Sequence, residues 1–195
     1  NKSSKIKLGY ISTNFVNHAQ SSQFSNDFFK LHNENEFEIY IYSLRGNVDE
    51  QKNIHVFNLQ LTKDEQIIEL IESHQLDIIV NSNGHADSKR PYQILSHRVA
   101  PIQIDYLGYP GTSGSTFIDY YIGDHISTNN PALFSEKILY MDNTYQLTEH
   151  INHYKNIGNT KINREECIQL LQNIDSSNIR QFLLRFNNIE ITKLY

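Results

Sequence analysis

Short apolar runs alternate with stretches of helical periodicity along most of the chain. The apolar runs, such as KIKLGYIS, predict strands at Lys5–Ser12, Phe37–Leu44, Ile54–Leu59, Leu76–Asn81, Ile102–Leu107, Phe117–Ile122 and Lys137–Met141. Helical spacing predicts one helix that carries Phe24, Phe28, Phe29 and Leu31, a second through Ile67–Ile71, and a third from Pro91 to His97. The residues Thr62–Glu65 have the form of a capping box, which predicts the start of the second helix.

This order of elements predicts the fold class. Strands that alternate with helices favour an α/β fold with a Rossmann-like, doubly wound and mostly parallel sheet that has helices on both faces. Ligands of such folds bind at the carboxyl ends of the strands. His18 follows the first predicted strand, Asn81–His85 follows another, and Tyr109–Gly114 follows a third. We therefore expect these three segments to meet at one rim of the sheet, although every fold of this class has loops there.

The segment LGYPGTSG at Leu107–Gly114 has the chemistry of a loop that contacts a ligand. Its glycines permit positive φ and close approach, Pro110 fixes one torsion, and Thr112 and Ser113 offer hydroxyl and N–H groups. A phosphate, a sugar or a peptide would fit such a loop, and a turn that is tight only for packing is the alternative. The candidate binding residues of this rim are Asn81, His85, Tyr109, Pro110, Gly111, Thr112, Ser113 and Gly114.

Composition narrows the classes of partner. The formal net charge of −5 over 195 residues leaves no basic stripe for a nucleic-acid backbone, so nucleic acid is not an expected partner. A single cysteine, Cys167, excludes an intrachain disulfide and suits a reducing compartment. No apolar run approaches the roughly 20 residues that cross a bilayer, and the polar start NKSSK is unlike a signal peptide. We expect a soluble cytoplasmic or nuclear protein without membrane contact.

The last part of the chain differs in character from the first. A polar stretch follows residue 150, and Arg164–Ile174 has the apolar spacing of an amphipathic helix, so we predict a linker and a connecting helix. His150 and His153 have HxxH spacing, but no acid or cysteine cluster accompanies them, and no metal site is expected. Walker and GxGxxG motifs are absent from the sequence, so no nucleotide cofactor is expected.

Several motifs together resemble the catalytic region of protein O-GlcNAc transferases. LGYISTNFVNH at Leu8–His18, LDIIVNSNGH at Leu76–His85, and RVAPIQ, LGYPGTSG, FIDYYIGD and SEKILYM beyond them stand in the family's order over residues 5–150. FLLRFNNIEITKLY at Phe182–Tyr195 resembles the first strand of the family's second lobe. The resemblance implies that residues 1–150 are the N-terminal lobe of a GT-B glycosyltransferase. Residues 151–195 would then be a linker, a connecting helix and the start of a truncated second lobe.

The resemblance also implies an activity. Such enzymes transfer N-acetylglucosamine from UDP-GlcNAc to Ser or Thr hydroxyls of intracellular proteins, with inversion and without a metal or other cofactor. Their second lobe supplies most of the UDP site, so we expect this chain alone to be inactive. Tetratricopeptide repeats that select protein substrates precede the catalytic region in the family, and this segment has none.

His18 is the residue that the resemblance identifies as catalytic, either as a general base or as a group that positions the acceptor. The surrounding pattern departs from the family's DFGNHPTSH, because this chain reads NFVNHAQSS and has Asn14 in place of the acid. Asn81 likewise stands where many relatives carry Asp. Since an amide cannot accept a proton as a base, we assign Asn81 to binding or shaping of the site.

Three alternative functions stay open from the sequence. The sister class that transfers fucose from GDP-fucose tends to have GYPNTTG in this loop, so Gly111 and Ser113 favour GlcNAc. The altered residues Asn14, Ala19 and Ser22 suggest a lobe that binds a peptide or a partner without chemistry. A histidine-dependent hydrolase ranks last, because no nucleophile and acid stand in the order that it needs.

Overall fold

The computed structural model describes residues 5–15, 28–142, 144 and 145. The strands in this part of the chain are β1 (Ile6–Ser12), β2 (Phe37–Ser43), β3 (Ile54–Asn58), β4 (Ile78–Asn81), β5 (Ile102–Asp105), β6 (Tyr120–Gly123) and β7 (Lys137–Tyr140). The α-helices are α1 (Asp64–His74) and α2 (Arg90–Leu95), with 3₁₀ turns at Phe29–Leu31 and Pro131–Leu133. Neither described α-helix has the length and apolar character that crossing a bilayer requires.

All seven strands form one sheet in the order β3-β2-β1-β4-β5-β6-β7, and every neighbouring pair is parallel. This confirms the predicted Rossmann-like α/β class. Strands β2 and β3 lie on one side of β1, and the chain then crosses back so that β4 lies on the other side. The direction of winding therefore reverses between β1 and β4, and a crevice at the carboxyl ends of these two strands is the expected ligand position.

Alternation along the strands gives the sheet two apolar faces. Ile11, Tyr42 and Ile79 pack on one face with the buried side chains of α1 and α2. Tyr10 and Ile41 point to the other face, which in the described part of the chain is covered by the loop residues Phe15, Phe28, Phe29 and Val48. Both described α-helices thus lie on a single face. The helix predicted to carry Phe24 falls largely outside the described residues, and its described end is the 3₁₀ turn.

The start of α1 corrects the capping-box prediction. Lys63 is the N-cap residue and makes no side-chain cap bond. Arg90 instead holds this end of the helix, because its guanidinium donates to the carbonyl of Thr62 and, at 2.7 Å, to the Asp64 carboxylate. Arg90 at the start of α2 therefore stabilises the first turn of α1. A local sequence pattern around Thr62 does not predict this contact.

Strand β6 begins at Tyr120 and not at Phe117 as predicted. The carbonyl of Phe117 accepts hydrogen bonds from the side chains of Arg98 and Gln103, at 2.8 and 2.7 Å. Side chains therefore supply the hydrogen bonds to this carbonyl. In a strand, the backbone of the neighbouring strand would supply them.

The described residues lie within one unit, Asn1–Ile151. The boundary predicted near residue 150 stays a prediction. The linker, the connecting helix, Cys167 and the pair His150 and His153 lie outside the described residues, as does His18.

Candidate functional site

Polar side chains bridge the crevice between β1 and β4. The Oδ1 atom of Asn83 accepts from the Ser12 hydroxyl at 2.7 Å and from the Thr13 N–H at 2.8 Å. Its Nδ2 atom donates to the Thr13 hydroxyl at 2.6 Å. All three residues are buried. Asn83 therefore joins the ends of the two strands at the place where the winding of the sheet reverses.

A buried carboxyl group extends this polar cluster to β5. Asp105, only 2% exposed, accepts from Nδ2 of Asn81 at 2.9 Å and from the Tyr92 hydroxyl at 2.5 Å. No Arg or Lys within the described ranges forms an ion pair with it. Burial raises the pKa of Asp105 to about 6, although the hydrogen bonds from Tyr92 and Asn81 act in the opposite direction.

A second carboxylate, Asp87, closes the other end of the cluster. Its Oδ2 atom accepts from the Thr13 hydroxyl at 3.2 Å and lies 2.6 Å from Nη1 of Arg45. The Asn14 amide donates to the same oxygen at 3.2 Å once its nitrogen is turned toward its acceptors. A carboxylate thus lies beside residue 14, although residue 14 is itself an amide.

The glycine loop lies directly on the turn that follows β4. Gly108 has φ 82°, and a Cβ atom there would stand 2.6 Å from the carbonyl oxygen of Asn83. Gly84 has φ 54°, and a Cβ atom there would stand 2.7 Å from Cβ of Tyr109. Each loop therefore uses a glycine where it meets the other. This contact explains why both segments need glycine, and it brings Asn81, His85 and Tyr109 to one rim.

His85 forms the side-chain contact between the two loops. Its Nε2 atom lies 2.9 Å from the carbonyl oxygen of Ser113, so this nitrogen carries the proton and donates. The ring lies edge-on to Tyr109, with centroids 5.5 Å apart, and 5.2 Å from the ring of Tyr92. The Nδ1 atom has no hydrogen-bond partner among the described residues, which leaves it available to a ligand.

The hydroxyls of Thr112 and Ser113 have a structural partner that the sequence did not reveal. Thr112 donates to Oε2 of Glu136 at 2.8 Å, and the Ser113 hydroxyl and N–H both donate to Oε1, the latter at 2.8 Å. Burial alone would raise the pKa of Glu136, but the hydrogen bonds from Ser113 and Thr112 outweigh it and hold this pKa below its usual range. The two hydroxyls therefore anchor the loop. Tyr109, Pro110 and Gly114 form its exposed part.

We expect Glu136→Ala to release the glycine loop from its anchor, which lies just before β7. The variant leaves three donors of Thr112 and Ser113 without their acceptor, at a cost of about 2 kcal/mol in the free energy of unfolding. Hydrogen exchange of the Ser113 amide should accelerate on the order of tenfold. Glu69→Ala, on the exposed side of α1, is the control and should change neither quantity. An unchanged exchange rate at Ser113 would contradict the anchoring role of Glu136.

An open cavity of about 620 Å³ lies at the opposite edge of the sheet, at the amino ends of β1, β2 and β3. Lys5, Phe37 and His55 are among the residues that line it. Its carboxylate Glu38 is already bonded to Tyr40 at 2.8 Å and to His55 at 3.0 Å. None of the candidate residues lines this cavity, so we assign function to the carboxyl edge.

The structure brings together the candidate residues that it describes. Asn81, His85 and the loop from Tyr109 to Gly114 share the rim, whereas His18 lies outside the described residues. Sequence reasoning missed Asn83, Asp105 and Glu136. Polar residues that end the apolar runs VNSN and IQID were the available signal for the first two. No group of three or more His, Cys, Asp or Glu side chains within the described ranges is placed to hold a metal ion.

Comparison with known proteins identifies the family. The sequence model of glycosyl transferase family 41 matches residues 1–192. A UDP-N-acetylglucosamine–peptide N-acetylglucosaminyltransferase of Caenorhabditis elegans is 30% identical over 156 residues, which cover 75% of this chain and 13% of the relative. The probable UDP-N-acetylglucosamine–peptide N-acetylglucosaminyltransferase SEC of Arabidopsis thaliana is 28% identical over 160 residues, which cover 77% of this chain and 16% of the relative.

A solved structure supports the same fold. A mutant O-GlcNAc transferase of Thermobaculum terrenum superposes with a TM-score of 0.65 at 22% identity, and the match covers 72% of this chain and 28% of that one. The chain thus spans about one sixth or less of the length of the two curated relatives described above. The family match extends over almost the whole sequence, and the chain belongs to glycosyl transferase family 41.

Proposed function

We propose that this chain is part of an inverting transferase that moves N-acetylglucosamine from UDP-GlcNAc to Ser or Thr hydroxyls of proteins. The observation that carries the proposal is the loop LGYPGTSG, which lies on the Asn83–His85 turn at the crevice where ligands of this fold bind. Membership in the family and the activities for which the two eukaryotic relatives are named support it. We further propose that the acceptors are cytoplasmic or nuclear proteins.

In this proposal the described lobe presents the acceptor and contacts the sugar. Inversion requires the acceptor hydroxyl to approach the face of the sugar opposite to the leaving diphosphate. The exposed rim of Tyr109, Pro110 and Gly114, with Nδ1 of His85, offers apolar surface and a polar contact to a pyranose. Because Glu136 fixes the loop before any ligand arrives, little conformational entropy is lost on binding.

The proposal assigns the nucleotide to a second lobe. Backbone donors and a helix N-terminus in that lobe would stabilise the diphosphate as it leaves, without a metal ion. His18 would accept the proton of the acceptor hydroxyl or orient that hydroxyl, in the segment that follows β1.

We expect His18→Ala to lower kcat/KM for sugar transfer about 100-fold or more, because proton transfer or orientation of the nucleophile is lost. The measurement is transfer of labelled GlcNAc from UDP-GlcNAc to a Ser/Thr-rich peptide by the full-length protein that carries this chain. His97→Ala, an exposed histidine after α2, is the matched control and should leave transfer unchanged.

The same assay separates the alternatives. Transfer from GDP-fucose and not from UDP-GlcNAc would overturn the choice of sugar. No transfer from either donor by the folded wild-type protein would favour a non-catalytic lobe that binds a peptide or a partner. Equal transfer by wild type and His18→Ala would contradict the role of His18 and still support the proposed activity.

A further inference from the structure

A carboxyl group that forms no ion pair with any described residue lies directly beneath the candidate site. Asp105 ends β5 opposite Asn81 in the register of β4 and β5, so the two side chains share a face of the sheet. A buried carboxylate is costly unless it is paired with a cation or has a role that keeps it in place. Among the described residues its hydrogen-bond partners are the neutral groups of Asn81 and Tyr92.

On one side the carboxylate fixes the orientation of the Asn81 amide. Nδ2 of Asn81 donates to Asp105, and this leaves Oδ1 to accept the N–H of Asn83 at 3.1 Å. Asn83 then bridges to β1 through Ser12 and Thr13. The direction of the Asn81 amide therefore decides whether the turn that carries Gly84 and His85 is held.

On the other side the carboxylate holds the ring of Tyr92. The hydroxyl of Tyr92 donates to Oδ2 of Asp105, and its ring contacts the imidazole of His85. His85 in turn donates to the carbonyl of Ser113 in the glycine loop. One carboxyl group thus supports both the turn after β4 and the aromatic wall behind His85.

We propose that Asp105 is a positioning residue for sugar transfer. By locking the Asn81 amide and the Tyr92 hydroxyl, it holds the Gly84–His85 turn against the Tyr109 loop. Its carboxyl group is buried beneath that turn, so it acts through these neighbours and does not touch the substrate. The effect on transfer rests on the function proposed above, whereas the effect on the turn does not.

Hydrogen-bond complementarity gives a sharp test. Asp105→Ala removes both acceptor oxygens, so the Asn81 amide and the Tyr92 hydroxyl lose the partner that orients them. The Asn81 amide can then turn its nitrogen toward the N–H of Asn83. The variant therefore weakens the bonds that hold the turn.

Asp105→Asn is the conservative variant for this test. Its Oδ1 atom can accept from Asn81 while its NH₂ group donates to the Tyr92 oxygen, because a phenolic hydroxyl both donates and accepts. This variant keeps the volume of the side chain and both hydrogen bonds, and it removes the charge. A loss in Asp105→Ala that Asp105→Asn does not share therefore does not come from the charge.

Two readouts apply to the full-length protein. In Asp105→Ala we expect hydrogen exchange in the peptide that contains Asn83 to accelerate on the order of tenfold, and KM for UDP-GlcNAc to rise on the order of tenfold with a smaller change in kcat. Asp105→Asn should keep most of the wild-type values of both. Asp119→Asn, which weakens the ion pair with Arg98 just before β6, should change neither readout.

The outcomes separate this proposal from the proposed function. Unchanged exchange at Asn83 in Asp105→Ala overturns the positioning role, and so does a folded Asp105→Asn variant with the same losses as Asp105→Ala. If the wild-type protein transfers no sugar, the proposed function fails. The exchange measurement then still decides whether Asp105 holds the turn.

Discussion

Gly108→Ala is expected to lower the free energy of unfolding by about 3 kcal/mol or more, the largest effect of any single methyl group added to this rim. The φ of 82° is strained for any L side chain, and the added Cβ atom would lie 2.6 Å from the carbonyl oxygen of Asn83 and 2.7 Å from that of Ser82. Both contacts are to backbone that is held between β1 and β4. The two loops must therefore separate, and sugar transfer should be lost with them. Urea denaturation measures the first effect.

Gly114→Ala is the matched control for this prediction. Gly114 also has a positive φ, 66°, but a Cβ atom there would meet nothing within 4 Å. Only the conformational cost applies, so we expect a loss of about 1 kcal/mol. Equal losses at the two positions would show that backbone conformation, and not the contact with Asn83, explains the glycine at position 108.

The second large effect is a pH dependence of stability that disappears in Asp105→Asn. Burial raises the pKa of Asp105 from 3.8 to about 6, so between these values the folded protein holds a proton that the unfolded chain has released. Stability from this group is therefore present at low pH, falls as pH rises through about 6, and is constant above it. This change in the pKa of Asp105 corresponds to about 3 kcal/mol in the free energy of unfolding.

The measurement compares the free energy of unfolding of wild type and Asp105→Asn at several pH values between about 4 and about 7. As pH rises, the free energy of unfolding of the wild type should fall relative to that of the variant. Hydrogen bonds from Tyr92 and Asn81 and the nearby His85 reduce the shift, and Glu136 increases it. Asp119→Asn provides a control without pH dependence in this range. Hydrogen bonds from Arg98 and from the Gln103 N–H outweigh desolvation and lower the pKa of Asp119, so its contribution to stability is lost only at lower pH. Parallel pH curves for wild type and Asp105→Asn would contradict the prediction.

The strands were predictable because each is a short apolar run, and β1, β2 and β4 at the centre of the sheet are buried on both faces. Alternation of Tyr10 and Ile11 between two cores is a direct consequence of strand geometry. Placement of Asn81, His85 and the glycine loop at one rim also followed, since parallel strands carry their carboxyl ends to the same edge. The role of those residues in sugar binding, and that of His18, stay predictions.

The other contacts of the site join residues that are far apart in the sequence, so a local sequence pattern does not predict them. Asp105 meets Asn81 only because β4 and β5 pair in one particular register. Glu136 meets Ser113 although the two lie 23 positions apart in the sequence, and the side chain that holds the start of α1 comes from Arg90 in α2. In each case a residue far along the chain satisfies a polar group for which the sequence suggested a local partner or a ligand.

The all-parallel sheet has a consequence for the order in which the protein is made. Parallel neighbours cannot be joined by a tight hairpin, so each pairing waits for a crossover to be synthesised. The bond between Ser12 and Asn83 spans 71 residues. Contacts of such long range slow folding and keep early strands exposed. On the ribosome, β1 and β2 can pair early, whereas the rim that would bind a sugar is completed only after the glycine loop and Glu136 have emerged.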